Sequence, residues 1–230
     1  MAFSVKLMGA VETVIGEFFE RFGQSGSGTL TTSDYPNKVS ATGGAYTWGA
    51  VSGTMAAGLA AGSEIFQFRH SSASYTAPLH SVKFSASVAG TAFAAGVPNF
   101  SMTTARAWTV DGTGGTAIAF TGNTNKRRTD FATSSQTSGN TRISTTAALT
   151  AGTKTLDTNT GPVIVGMTGT ATTGQIVPAG TVLWERTAGC KYPLLFEQNE
   201  GFVIRATVPA TGTWAFAVTV EWEEPIPADF

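Results

Sequence analysis

Apolar and polar positions alternate most strictly near the end of the chain. Phe202, Ile204, Ala206 and Val208 fall on one face of their segment, with Arg205 and Thr207 on the other. Further on, Trp214, Phe216, Val218, Val220 and Trp222 share a face, opposed by Ala215, Ala217, Thr219, Glu221 and Glu223. A period of two is the side-chain repeat of a half-buried strand. Pro209, Ala210, Thr211, Gly212 and Thr213 form a link of a length common in antiparallel hairpins, so the two strands are expected to pair side by side. Arg205 would then lie opposite Glu221 or Glu223.

Upstream, Val82, Phe84, Ala86 and Val88 alternate with Ser81, Lys83, Ser85 and Ser87. Phe100, Met102, Thr104, Arg106 and Trp108 alternate with Ser101, Thr103, Ala105 and Ala107, and Glu64 to His70 places Phe66 and Phe68 together. Arg142 to Ser144, Pro162 to Gly166 and Thr181 to Glu185 are shorter strand candidates, and Thr145 to Gly152 has room for one helical turn. Turn signals separate them, including Asp111-Gly112, Gly114-Gly115 and Ala179-Gly180. Gln198 to Gly201 reads as a polar turn in which Gly201 supplies a positive φ. Many short strands between such turns predict an all-β fold, an antiparallel β-sandwich or jelly-roll-like domain over residues 29–230.

The first residues follow a different rule. Val11, Val14, Ile15, Phe18, Phe19 and Phe22 recur at spacings of three and four, which predicts an amphipathic helix ending at Gly23. A Gly/Ser linker follows, so residues 1–28 are expected to form an arm whose Val14, Phe18, Phe19 and Phe22 dock on a neighbouring subunit or on the chain's own sandwich.

Composition sharpens this picture. Only 13% of the 230 residues are charged, against about 25% in an average domain. The formal net charge is −1 and glycine contributes 27 residues. So little charge suggests that much of the exterior faces protein. Lys126, Arg127 and Arg128 are the one basic run, a candidate electrostatic contact with an acidic shell and too small a stripe for nucleic acid. Cys190 is the single cysteine, which excludes an intrachain disulfide. The N-terminal apolar run is short and broken by Glu12, so no signal peptide is expected, and no apolar run is long enough for a transmembrane helix.

No nucleophile elbow, P-loop, HExxH or EF-hand pattern occurs. His70 and His80 flank a Ser/Thr/Pro-rich connection and are expected to be ordinary strand-end residues, and no carboxylate pair stands out by spacing. An enzyme, a cofactor and a metal are not expected. Tyr46, Trp48 and Tyr75 are candidate sugar-stacking aromatics if the protein binds glycans, though strand packing or interface burial is the stronger expectation for them.

One stretch carries a resemblance. Ala105-Arg106-Ala107-Trp108-Thr109, Gly114-Gly115-Thr116 and Gly122 to Thr129 are followed by Arg142-Ile143, Ser144 to Thr153 and Leu156-Asp157. With Tyr192-Pro193-Leu194-Leu195-Phe196-Glu197-Gln198-Asn199-Glu200-Gly201-Phe202-Val203-Ile204-Arg205, these resemble a family of tailed-bacteriophage virion proteins over about residues 100–222. The resemblance implies a structural component assembled in the host cytoplasm and found in the virion. A head decoration or cement subunit is the first expectation, a homo-oligomer (a trimer most simply) bound to the major capsid protein. A tail or head-fibre module that recognises a host-surface glycan is the alternative.

Overall fold

The computed structural model describes residues 44–93, 96–122, 124–167, 173–187 and 193–225. The expected N-terminal helix, its Val14, Phe18, Phe19 and Phe22, the 28/29 boundary and Cys190 lie outside the described residues. Those residues form strands and no helix. The strands are β1 (Ala45–Val51), β2 (Met55–Ala56), β3 (Ser63–His70), β4 (Ala77–Ala89), β5 (Asn99–Val110), β6 (Thr116–Ala117) and β7 (Thr141–Ile143). They continue as β8 (Thr153–Asn159), β9 (Ile164–Val165), β10 (Thr173–Glu185), β11 (Leu195–Phe196), β12 (Glu200–Thr207) and β13 (Thr213–Glu223). Thr145 to Gly152, where a helical turn had room, is irregular apart from bends.

The strands form two antiparallel sheets. One runs β1-β13-β4-β10, with β2 beside β13 and β11 beside β4. The other runs β6-β7-β3-β12-β5-β8, with β9 beside β5. Consecutive long strands therefore change sheet repeatedly, and the last strand lies between the first and the fourth. That interleaving is the jelly-roll order.

The two alternating segments are both strands, but they do not form a hairpin. β12 lies between β3 and β5, whereas β13 lies between β1 and β4 in the other sheet. The 209–213 link is an arch that carries the chain across the sandwich. The reason is on both faces. Phe202 and Ile204 are fully buried, as are Trp214, Phe216, Val218, Val220 and Trp222. Two such heavy faces exclude more water by meeting across the interior than by lying side by side in one layer. Arg205 consequently never meets Glu221 or Glu223. Its Nε donates to the Gly62 carbonyl oxygen at 2.8 Å, Glu221 pairs with Arg127 at 3.2 Å, and Glu223 pairs with His80 at 2.9 Å.

A second correction concerns Trp108. Phe100, Met102 and Thr104 point inward as the alternation requires, but Ala107 takes φ +48° and the β5–β8 register shifts between Arg106 and Val110. This bulge turns Trp108 to the outer side, where it packs with Ala105, Val203 and Leu156 in a small separate cluster. Lys154 Nζ sits 4.7 Å from the Trp108 ring centroid and pairs with Glu64 at 2.8 Å, both side chains almost wholly buried. Burial pushes the Glu64 carboxyl up, and the Lys154 hydrogen bond and charge, together with the Arg205 charge, oppose that rise. A third correction is small. The positive φ of the 197–200 turn belongs to Asn199 (+65°), while Gly201 lies in β12, where a Cβ would collide with the Phe68 carbonyl oxygen.

Two measurements check this account. A double-mutant cycle between Arg205→Ala and Glu221→Ala should give a coupling energy within about 0.3 kcal/mol of zero, because the two sit on opposite sheets; a substantial coupling would restore the hairpin. Lys154→Met should lower unfolding free energy by about 3–5 kcal/mol in urea titrations, since it strands the Glu64 charge in the interior.

Candidate functional site

Three features stand out from the packed interior: a polar network at one end of the sandwich, an apolar ridge, and a cleft on the outer face of the β3-β12-β5-β8 sheet.

The network explains the long 118–140 connection. Glu224 is buried and accepts hydrogen bonds from Ser134 Oγ (2.6 Å), the Ser135 amide (2.6 Å) and Trp222 Nε1 (2.9 Å). Tyr46 Oη donates to the Ala132 carbonyl (3.0 Å), and burial, reinforced by the Glu224 charge, pushes its phenol well above the usual range. His70 is fully buried, with Nε2 2.7 Å from the Tyr75 carbonyl and Nδ1 3.1 Å from Gln136 Nε2. The neutral ring with its proton on Nε2 satisfies both, donating to the carbonyl and accepting from the amide. The Glu224 carboxylate, the Tyr46 phenol and the His70 ring are each engaged in holding the connection down, while Ser135 Oγ and Gln136 Oε1 are buried without a partner, and these bonds identify the network as structural. Tyr46 and Trp48 belong to the core, Tyr46 stacked on Trp222 at 5.4 Å and Trp48 on Phe66 at 5.8 Å. They are not a sugar platform. Tyr75 is half-buried and stands apart from any aromatic pair found among the described residues.

The basic run also lies on this connection. Asn125 and Arg127 exchange backbone hydrogen bonds with Thr47 and Ala45, so the segment extends the first sheet beyond β1. Covering an edge strand in this way removes a template for unwanted pairing. Arg127 reaches Glu221, and Arg128 is bidentate to Asp130 (3.1 and 2.6 Å) and lies over Phe131. Lys126 is half-buried beside them. The exposed guanidinium groups are therefore drawn towards this chain's own carboxylates.

The ridge is formed by Val97, Val163, Val165 and Met167, which are 52%, 50%, 66% and 64% exposed. β9 pairs with β5 through Asn99 and Phe100, and the Gly166 amide donates to the Pro98 carbonyl, so the four residues sit along one side of the second sheet. Sequence reading identified the strand here and missed its exposure, since valines in a strand signal burial unless the partner layer is known.

The cleft holds about 330 Å³ and is lined by Ala61, Gly62, Asn99, Ser101, Asn159, Val163, Arg205, Ala206 and Thr207. Its floor follows from strand register: Arg205 pairs with Ser101 and Thr207 with Asn99, all on the face opposite Phe100, Met102 and Ile204. The Ala61–Gly62 turn makes one wall. Gly62, at φ +71°, is needed twice: its backbone is left-handed, and a Cβ would strike the Arg205 guanidinium. The Gly62 amide donates to Thr207 Oγ1 at 2.9 Å, fixing the turn against the strand. Among the described residues no three His, Cys, Asp or Glu side chains converge as metal ligands.

No family model, curated protein or solved structure matches the chain.

The buried His70 gives a pH prediction. Desolvation holds its pKa below the ordinary histidine value, with the Tyr75 hydrogen bond and the Glu224 charge acting the other way. Below about pH 6.5 the unfolded chain takes up a proton that the folded chain refuses, so stability falls as pH drops below that point, by up to about 1.4 kcal/mol per pH unit. Urea midpoints should decline from pH 7.5 to 5.5, and His70→Gln should flatten that slope; an unchanged slope would remove His70 as its source.

Proposed function

We propose that this chain is a non-enzymatic structural protein of a tailed-phage virion, a decoration subunit that binds the head shell and copies of itself. The observation that carries the reading is the apolar ridge Val97, Val163, Val165 and Met167, on a protein with few charges. Monomeric soluble proteins rarely leave several large aliphatic side chains half or more exposed in one place, and such patches mark contacts with other protein. The resemblance over residues 100–222 supports the particle as the setting. A two-layer sandwich whose β1 edge is covered by the 125–127 segment suits a permanent part of a shell, because that flank offers no open pairing template.

In this reading the ridge seats against a capsid subunit or a sister chain, with closed symmetry (a trimer most simply) and many weak contacts adding up over the lattice. The arm residues Val14, Phe18, Phe19 and Phe22 are proposed as a second grip. Arg127 and Arg128 can exchange their surface carboxylates for those of an acidic shell, since exposed ion pairs are worth at most about 1 kcal/mol each. The burial of Tyr46 and Trp48 weakens the glycan-binding alternative in the form that relied on those rings.

Co-sedimentation with expanded, undecorated heads tests the reading. Binding should saturate at a fixed ratio to the major capsid protein. Val165→Glu with Met167→Glu should weaken it at least tenfold while leaving the thermal midpoint within a few degrees, and deleting residues 1–23 should weaken it separately. Absence of saturable binding would sink the decoration role.

A further inference from the structure

We propose that the Arg205 cleft is a binding site for an acidic saccharide unit, a sugar ring that bears a carboxylate. Arg205 is a cation with unused donors. Its Nε is committed to the Gly62 carbonyl oxygen, and among the described residues neither Nη atom makes a hydrogen bond and no carboxylate comes within ion-pair distance of the group. The acid facing it in register on β3, Glu64, feels its charge but is hydrogen-bonded to Lys154. By contrast, Arg69, Arg106, Arg127 and Arg128 each hold an acidic partner. A guanidinium fixed through Nε presents its two remaining nitrogens as a fork, the geometry that takes a carboxylate by two parallel hydrogen bonds.

The surroundings select what carries the carboxylate. Asn99, Ser101, Asn159 and Thr207 line the same cleft. Asn159 accepts from Thr103 Oγ1 at 3.3 Å through its Oδ1, which leaves its amide N–H groups available. Amides and hydroxyls that both donate and accept match a ring of hydroxyl groups better than the apolar side chains of a peptide. Val163, half exposed at the rim, offers a C–H surface for one face of the ring. A volume of about 330 Å³ lies at the small end of ligand pockets and suits one unit of a longer chain entering from the open side. The residues come from the 61–62 turn, β5, the end of β8, the 160–163 segment and β12, so the site exists only once the second sheet is assembled. Its polar floor is separate from the ridge, although Val163 belongs to both, so a partner seated on the ridge would narrow the cleft mouth.

The test is calorimetric titration of the full chain with an oligogalacturonide, with its neutral oligogalactoside counterpart, and with a short peptide bearing a free C-terminal carboxylate. The acidic oligosaccharide should bind at least tenfold more tightly than either control. Arg205→Gln should abolish that preference. Asn159→Asp, at an exposed strand end, should also weaken binding at least tenfold by repelling the carboxylate, and it should leave the fold intact even where Arg205→Gln unsettles the Gly62 turn. Equal affinity for the neutral sugar, equal or tighter binding of the peptide, or unchanged affinity in Asn159→Asp would each overturn the proposal.

Discussion

The structure depends on aromatic packing between the two sheets. Trp222 of β13 lies 5.4 Å from Tyr46 in its own sheet, 5.3 Å from Phe68 in the opposite one and 5.3 Å from Phe120 of the long connection. Phe202 answers from β12, against Phe66, Phe68 and Phe196. At the other end Phe84 and Trp214 meet Phe100 across the interior. Each such ring buries roughly 150–250 Å², and offset or edge contacts add about 0.5–1.5 kcal/mol per pair. This interior lets a chain with few charges and many glycines fold around flexible surface links. It also fixes which side of every strand is left for function.

That division explains how far the sequence could be read. Strand positions were legible wherever alternation was strong: β3, β4, β5, β12 and β13 all match the expected segments. Pairing was not, because periodicity describes one strand's two faces and says nothing about its neighbours. The 209–213 link has the length of a hairpin loop and serves as an arch, since the choice depends on whether two apolar faces are better met across the core. β8, with mostly exposed Thr, Lys and Asp, carries no apolar alternation and went unread. Trp108 was assigned to the wrong face because one residue in a left-handed conformation, Ala107, resets the phase of everything after it.

The polar features were legible as residues and not as partners. Glu224 sits two positions beyond Trp222 and reads as a solvated strand end, yet it becomes buried because the 118–140 connection brings hydroxyl and amide donors to it. His70 looked like a strand-end histidine, and it is one, but its ring is the anchor for Gln136. Lys126 to Arg128 read as a basic run for an acidic partner, and the segment that carries it extends a sheet edge. In each case the deciding contact joins residues far apart in sequence, which spacing cannot reveal.

The outer face of the second sheet shows how a regular fold makes a specific surface without a dedicated loop. Along β12 the outward positions run Val203, Arg205, Thr207, and along β5 they run Ala105, Thr103, Ser101, Asn99. One end of this face is therefore apolar, and Trp108 and Leu156 cover it. The other end is polar, has no large side chain to fold over it, and remains open as the cleft. The Ala107 bulge takes part in that partition, because without it Trp108 would point into the interior and the apolar end would lose its cover. Arg205 stays available at the polar end for the complementary reason that Lys154, drawn in over Trp108, holds Glu64. Core packing, a single backbone irregularity and one buried ion pair thus leave the Arg205 Nη donors uncommitted beside neutral hydrogen-bonding groups.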